Sequence, residues 1–270
     1  MGIMLCSKAN PACALRVEDL GLRVYTVEEL CYCILKHPLL FLDDFADEPL
    51  FRFLKEGAGE PGLATELRAL KEGGLESPEL LARLLEASGY SGRQEAERFR
   101  SAARALKALS EAEYWGKKGD YLFSLRKFGK AILIYDRVLS GGESGGLTTA
   151  LRGRLLYSKG CACANLFLSE KAYRCFEEAY SLLKDTEILK HIYFLALTEP
   201  VIGIKERYLA AVEGKTRLRW DSEYEEARRK AADGTGNREI TEVFSGDPVQ
   251  RFRKAEETVR RWKEEYRTML

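Results

Sequence analysis

Trp115-Gly-Lys-Lys-Gly119-Asp-Tyr-Leu122, followed by Ala131-Ile-Leu-Ile-Tyr135-Asp-Arg-Val138, has a near-copy downstream. The second version reads Leu156-Tyr-Ser-Lys-Gly160-Cys-Ala-Cys163, then Ala172-Tyr-Arg-Cys-Phe176-Glu-Glu-Ala179. In both, the alanine follows the glycine by the same interval (131 − 119 = 12; 172 − 160 = 12), and the two alanines stand 41 apart (172 − 131 = 41). Each mark has a physical task. Gly119 and Gly160 allow two helices of a hairpin to approach closely, and Ala131 and Ala172 do the same from the second helix. Trp115, Leu156, Tyr135 and Phe176 fill the space between one hairpin and the next, with Val138 and Ala179 behind them. A lone hairpin leaves its apolar face wet, so hairpins of this spelling are expected to stack.

Large apolar, glycine, medium apolar and then Ala-x3-aromatic is the skeleton of the tetratricopeptide repeat, and this quarter of the chain resembles that family. The resemblance implies an all-α solenoid of helical hairpins that holds a polypeptide partner on the concave face lined by the first helix of each pair. That face is expected to present Glu113, Lys117, Asp120 and Phe123 from the first hairpin. Arg154, Tyr157, Cys161, Ala164 and Asn165 would come from the second. Lys117, Arg154 and Asn165 suit a peptide backbone or carboxylate, while Phe123 and Tyr157 supply apolar contact. The sequence departs from the family at Lys118 and Lys159, where leucine is usual, and in lacking the closing proline. The spacing also exceeds the ordinary 34 or so residues. The surplus falls in Ser140-Gly-Gly-Glu-Ser-Gly-Gly146, read as a flexible insert.

Composition agrees with a helical chain. Of 270 residues 31% are charged and 46% hydrophobic, prolines number seven, and net charge is +1, so no global field favours nucleic acid or an acidic membrane. Seven cysteines in no disulfide-scaffold spacing, and an opening Met1-Gly-Ile-Met-Leu-Cys6 without a leader's basic lead-in, make a reducing cytoplasm the expectation. No apolar run reaches the ~20 residues of a membrane span.

Residues 1–110 are expected to form an N-terminal bundle of short helices, 111–198 the hairpin repeats, and 199–270 a C-terminal extension and cap. Gly21 to Tyr25 alternates like a short strand or an extended arm. Thr26-Val-Glu-Glu29 is a capping box, Ser77-Pro78 a helix start, and 186–197 a degenerate third repeat. In 249–270, Phe252, Ala255, Val259, Trp262, Tyr266 and Met269 recur at steps of 3 and 4, a narrow seam expected to cap the solenoid. Docking of that seam on a second copy is the alternative.

Chemistry is sparse. His37 and His191 have no Cys or acid at ligand spacing. Cys31-x-Cys33 and Cys161-x-Cys163 point apart on a helix and read as core thiols. Asp43, Asp44, Asp47 and Glu48 read as a solvated acidic loop, and the Gly-rich insert lacks the strand and lysine of a phosphate cradle. The reading is therefore a non-enzymatic scaffold or adaptor without cofactor or metal, binding neither nucleic acid nor membrane. A ligand-responsive regulator is the alternative, although 1–110 has no basic recognition helix and carries 14 − 17 = −3 charges.

Overall fold

A computed structural model describes residues 10–43, 45–141, 147–203, 205–245 and 247–270. It is all-α apart from one small hairpin, and the chain divides into two compact units, Met1–Tyr121 and Leu122–Leu270.

In the first unit, β1 (Leu15–Val17) pairs antiparallel with β2 (Leu22–Val24), with Arg16 opposite Arg23. The alternating stretch after Gly21 is thus a strand, and Gly21 permits the turn through its φ of 68°. Thr26 then opens α1 (Val27–Lys36). Its Oγ1 accepts from the Glu29 amide at 3.2 Å, while the Glu29 carboxylate accepts from the Tyr25 amide at 2.7 Å. Four further helices follow: α2 (Glu48–Arg52), α3 (Pro61–Glu72), α4 (Ser77–Ala87) and α5 (Arg93–Lys107). Asp47 caps α2. At α4 the cap is Glu76 rather than Ser77, whose side chain makes no capping bond; Ser77 and Pro78 occupy the first turn. Leu30, Ile34, Phe41, Leu54, Leu80 and Leu84 fill the core of this bundle. Helix α6 (Glu111–Ser124) ends the first unit and begins the second.

The second unit is a run of neighbouring helices. Helix α7 (Phe128–Ser140) packs on α8 (Thr149–Asn165), α8 on α9 (Ser169–Leu183), and α9 on α10 (Thr186–Thr198). A Cβ on Gly160 would lie 2.6 Å from the Phe176 ring, so this glycine sets how closely α8 and α9 approach. Ala172, Phe176 and Ala179 are buried beside Leu156 and Cys163 in one core. Tyr135 and Ala131 are fully buried on α7.

The two hairpin turns are built alike. Arg126 and Phe167, 41 residues apart (167 − 126 = 41), both adopt φ of 59°. In each turn the following amide closes a six-residue loop: Lys127 N to Leu122 O and Leu168 N to Cys163 O, both at 2.9 Å. The segment 142–146, read as a flexible insert, lies outside the described residues.

Beyond α10 come α11 (Glu206–Ala210), α12 (Gly214–Ala232), α13 (Thr235–Phe244) and α14 (Pro248–Met269). Buried Trp220 of α12 meets Tyr193 of α10 with ring centroids 5.8 Å apart, and Lys190 pairs with Glu223 at 2.5 Å. Helix α12 therefore covers α10. Helix α14 caps by its last turn. Lys127 Nζ donates to Thr268 O at 3.0 Å, Tyr266 OH to Leu166 O at 3.4 Å, and Met269 joins Phe128 and Leu166. A Cβ on Gly129 would fall 2.5 Å from the Leu270 carbonyl oxygen, so only glycine admits Leu270 here. The rest of the seam does not pack on the solenoid. Phe252 remains 69% exposed and Val259 44%.

Candidate functional site

The expected binding residues fall in both units. Lys117 and Asp120 are exposed on the part of α6 that belongs to the first unit. In the second unit Phe123 is half-buried against Phe128 (5.2 Å, edge-on), as part of the hairpin-turn core. Arg154 is exposed and forms no ion pair among the described residues. Asn165, also exposed, spends one amide hydrogen on the Cys161 carbonyl at 2.9 Å.

Tyr157 is the most informative of the six. Half-buried on α8, its ring meets His191 of α10 edge-on at 5.4 Å and Phe176 of α9 at 5.9 Å; Phe176 and His191 are 5.6 Å apart. His191 Nδ1 donates to the Glu187 carbonyl at 2.8 Å, which fixes the orientation of the ring. Burial pushes the Tyr157 phenol up to about 12, helped by the Cys161 thiol, so it stays a neutral donor. Sequence reasoning missed His191. The only signal was its place on α10, which was taken as the first helix of a third pair.

Of the two anomalous lysines Lys118 is buried and Lys159 half-buried, and both are paired. Lys118 Nζ sits 2.6 Å from Asp43 and 3.9 Å from Asp19, over the Trp115 ring at 5.1 Å. Tyr114 OH donates to the other Asp43 oxygen at 2.8 Å, and burial with that carboxylate holds the phenol far above its ordinary value. Lys159 Nζ lies 2.5 Å from Asp136 on α7. The acidic loop is therefore not merely solvated. Asp43 serves Lys118, Asp47 pairs with Lys71 at 3.2 Å, and Glu48 with Arg68 at 2.6 Å; Asp44 lies outside the described residues.

The thiols behave as core atoms. Cys31 and Cys163 are fully buried and Cys33 nearly so; burial pushes Cys31 up to about 11, and Cys161 likewise. His37 Nδ1 meets Tyr121 OH at 2.7 Å. Among the described residues no three of His, Cys, Asp and Glu cluster as metal ligands would, and no helix is long and apolar enough to cross a membrane. Compared with family models, curated proteins and solved structures, the chain matches none.

Proposed function

We propose that the protein is a non-enzymatic scaffold whose hairpins are tetratricopeptide-type repeats, and that it holds an extended peptide across the first helices of successive pairs. The observation that carries this reading is the Tyr157–His191 contact between α8 and α10, with Arg154 exposed on α8 and without an ion pair among the described residues. Two half-buried rings give apolar contact, and Arg154 suits a carboxylate or a backbone carbonyl. Asn165 keeps a second amide hydrogen for the same purpose. Pairing of Asp43 with a lysine and a tyrosine is explained by structure alone and asks for no reaction. A cytoplasmic setting fits the free thiols.

A random peptide library displayed on phage, panned against the purified chain, tests this. Enriched peptides should bind Arg154→Ala and Tyr157→Ala variants about tenfold or more weakly, with helical circular dichroism unchanged. Peptides that bind both variants as tightly as the parent, or failure to enrich any sequence, would remove the reading.

A further inference from the structure

We propose that Cys163 of α8 and Cys175 of α9 are a redox pair: a small hydroperoxide oxidises Cys163, and Cys175 closes a disulfide onto it. Both are free thiols. They hydrogen-bond each other across the hairpin, so the two sulfur atoms are already neighbours.

The fold brings them together where α8 and α9 come closest. Gly160 stands one turn before Cys163, and Phe176, whose ring leaves a Cβ on that glycine only 2.6 Å, directly follows Cys175. Ala172 and Ala179 are buried in the same core. Helix axes usually lie about 8–10 Å apart, while a disulfide needs Cα atoms within about 7 Å. The small residues bring such a bond within reach.

The two thiols are not equivalent. Cys163 accepts the Cys175 S–H, and the Lys159 ammonium one turn earlier adds positive charge; together they hold the Cys163 thiol below its ordinary value against the pull of burial. Cys175 moves the other way, because its proton is held in that hydrogen bond and its surroundings are dry. Lys159 is itself fixed by Asp136 of α7 at 2.5 Å. Cys163 is therefore the nucleophile and Cys175 the thiol that resolves it.

In the first step the Cys163 sulfur attacks the outer peroxide oxygen and the O–O bond breaks. The leaving oxygen takes the proton that Cys163 gave up and departs as water or an alcohol. The Cys175 sulfur then attacks the resulting sulfenic acid. Its S–O bond breaks, and hydroxide leaves with the Cys175 proton as water. Two thiols lose two electrons, and the peroxide gains them. Cys163 is fully buried and Cys175 is 6% exposed, which restricts the oxidant to a small one. The wet flank of the pair is Lys159 and Asp136, whose side chains are 21% and 50% exposed.

The full chain, reduced, treated with hydrogen peroxide at neutral pH, alkylated and digested with trypsin without reductant, tests this by mass spectrometry. The parent should yield residues 160–171 joined to 175–184, with fragment ions placing the bond on Cys163 rather than Cys161, and dithiothreitol should reverse it. This measurement needs no variant. In Cys175→Ser, dimedone should trap a sulfenic acid on Cys163. In Lys159→Met, with helical circular dichroism unchanged, formation of the link should slow about tenfold. A parent that gives no link between Cys163 and Cys175, or gives it through Cys161, overturns the proposal. So does dimedone missing from Cys163, or a link that forms as fast without Lys159.

Discussion

Lys118 and Lys159 occupy the same place in two copies of one spelling, directly before Gly119 and Gly160, yet they are held in different ways. Lys118 reaches 75 residues back along the chain to Asp43, with Tyr114 on the same carboxylate, and its side chain is 9% exposed. Lys159 reaches only to Asp136 on the preceding helix, keeps 21% of its side chain exposed, and its partner is half in solvent. A lysine in place of leucine thus ties α6 into the bundle in one hairpin, and in the other pins neighbouring helices of the solenoid. Desolvation decides which matters more for stability. A charge stripped of water destabilises severely when its partner is removed, whereas a partly wet pair is replaced by solvent.

That contrast can be broken at several points. Asp43→Ala should be the costliest change, about 3 kcal/mol in urea denaturation followed by far-ultraviolet circular dichroism, because Lys118 and Tyr114 lose one shared acceptor. Lys118→Leu leaves Asp43 without its cation. It should still cost about 2 kcal/mol. Asp136→Ala should cost only about 1 kcal/mol, and Lys159→Leu should be neutral or slightly stabilising by the same measurement. Equal losses at Asp43 and Asp136 would erase the distinction.

One further effect is shared by both units. Burial raises the thiols of Cys31 in the first unit and Cys161 in the second from 9.0 to about 11. A folded-state value above the unfolded one gives stabilisation that is complete below pH 9 and is lost as pH climbs through about 11. Melting temperature should therefore fall over that range, and Cys31→Ala should flatten part of the slope. A melting curve indifferent to pH between 9 and 11 would contradict the burial of both thiols.

Much of the repeat pair was legible because its marks are local. Gly160 against Phe176 follows from the need to bring two backbones close, and that need leaves the same residues at the same interval in any copy. Thr26 and Asp47 were readable for a similar reason, since a helix start is satisfied by side chains only a few positions away. The hairpin turns were not. Arg126 and Phe167 adopt a left-handed conformation usually given to glycine or asparagine, and nothing in their chemistry announces it. The surroundings of the proposed peptide surface were legible only in part. Tyr157 could be named from its position on the first helix, but Phe123 turned into the core and His191 entered only because α10 lies against α8 and α9.

What the sequence by itself determined is helical periodicity, the doubled hairpin and the apolar seam of the last helix, all of which rest on spacings within a few turns of one helix or hairpin. Tertiary structure alone decided that Asp43 answers Lys118, that α12 covers α10 through Trp220, and that Gly129 receives Leu270. These contacts join residues tens to more than a hundred positions apart. Their partners are selected by desolvation and shape, which leave no regular interval for a reader of the sequence to find.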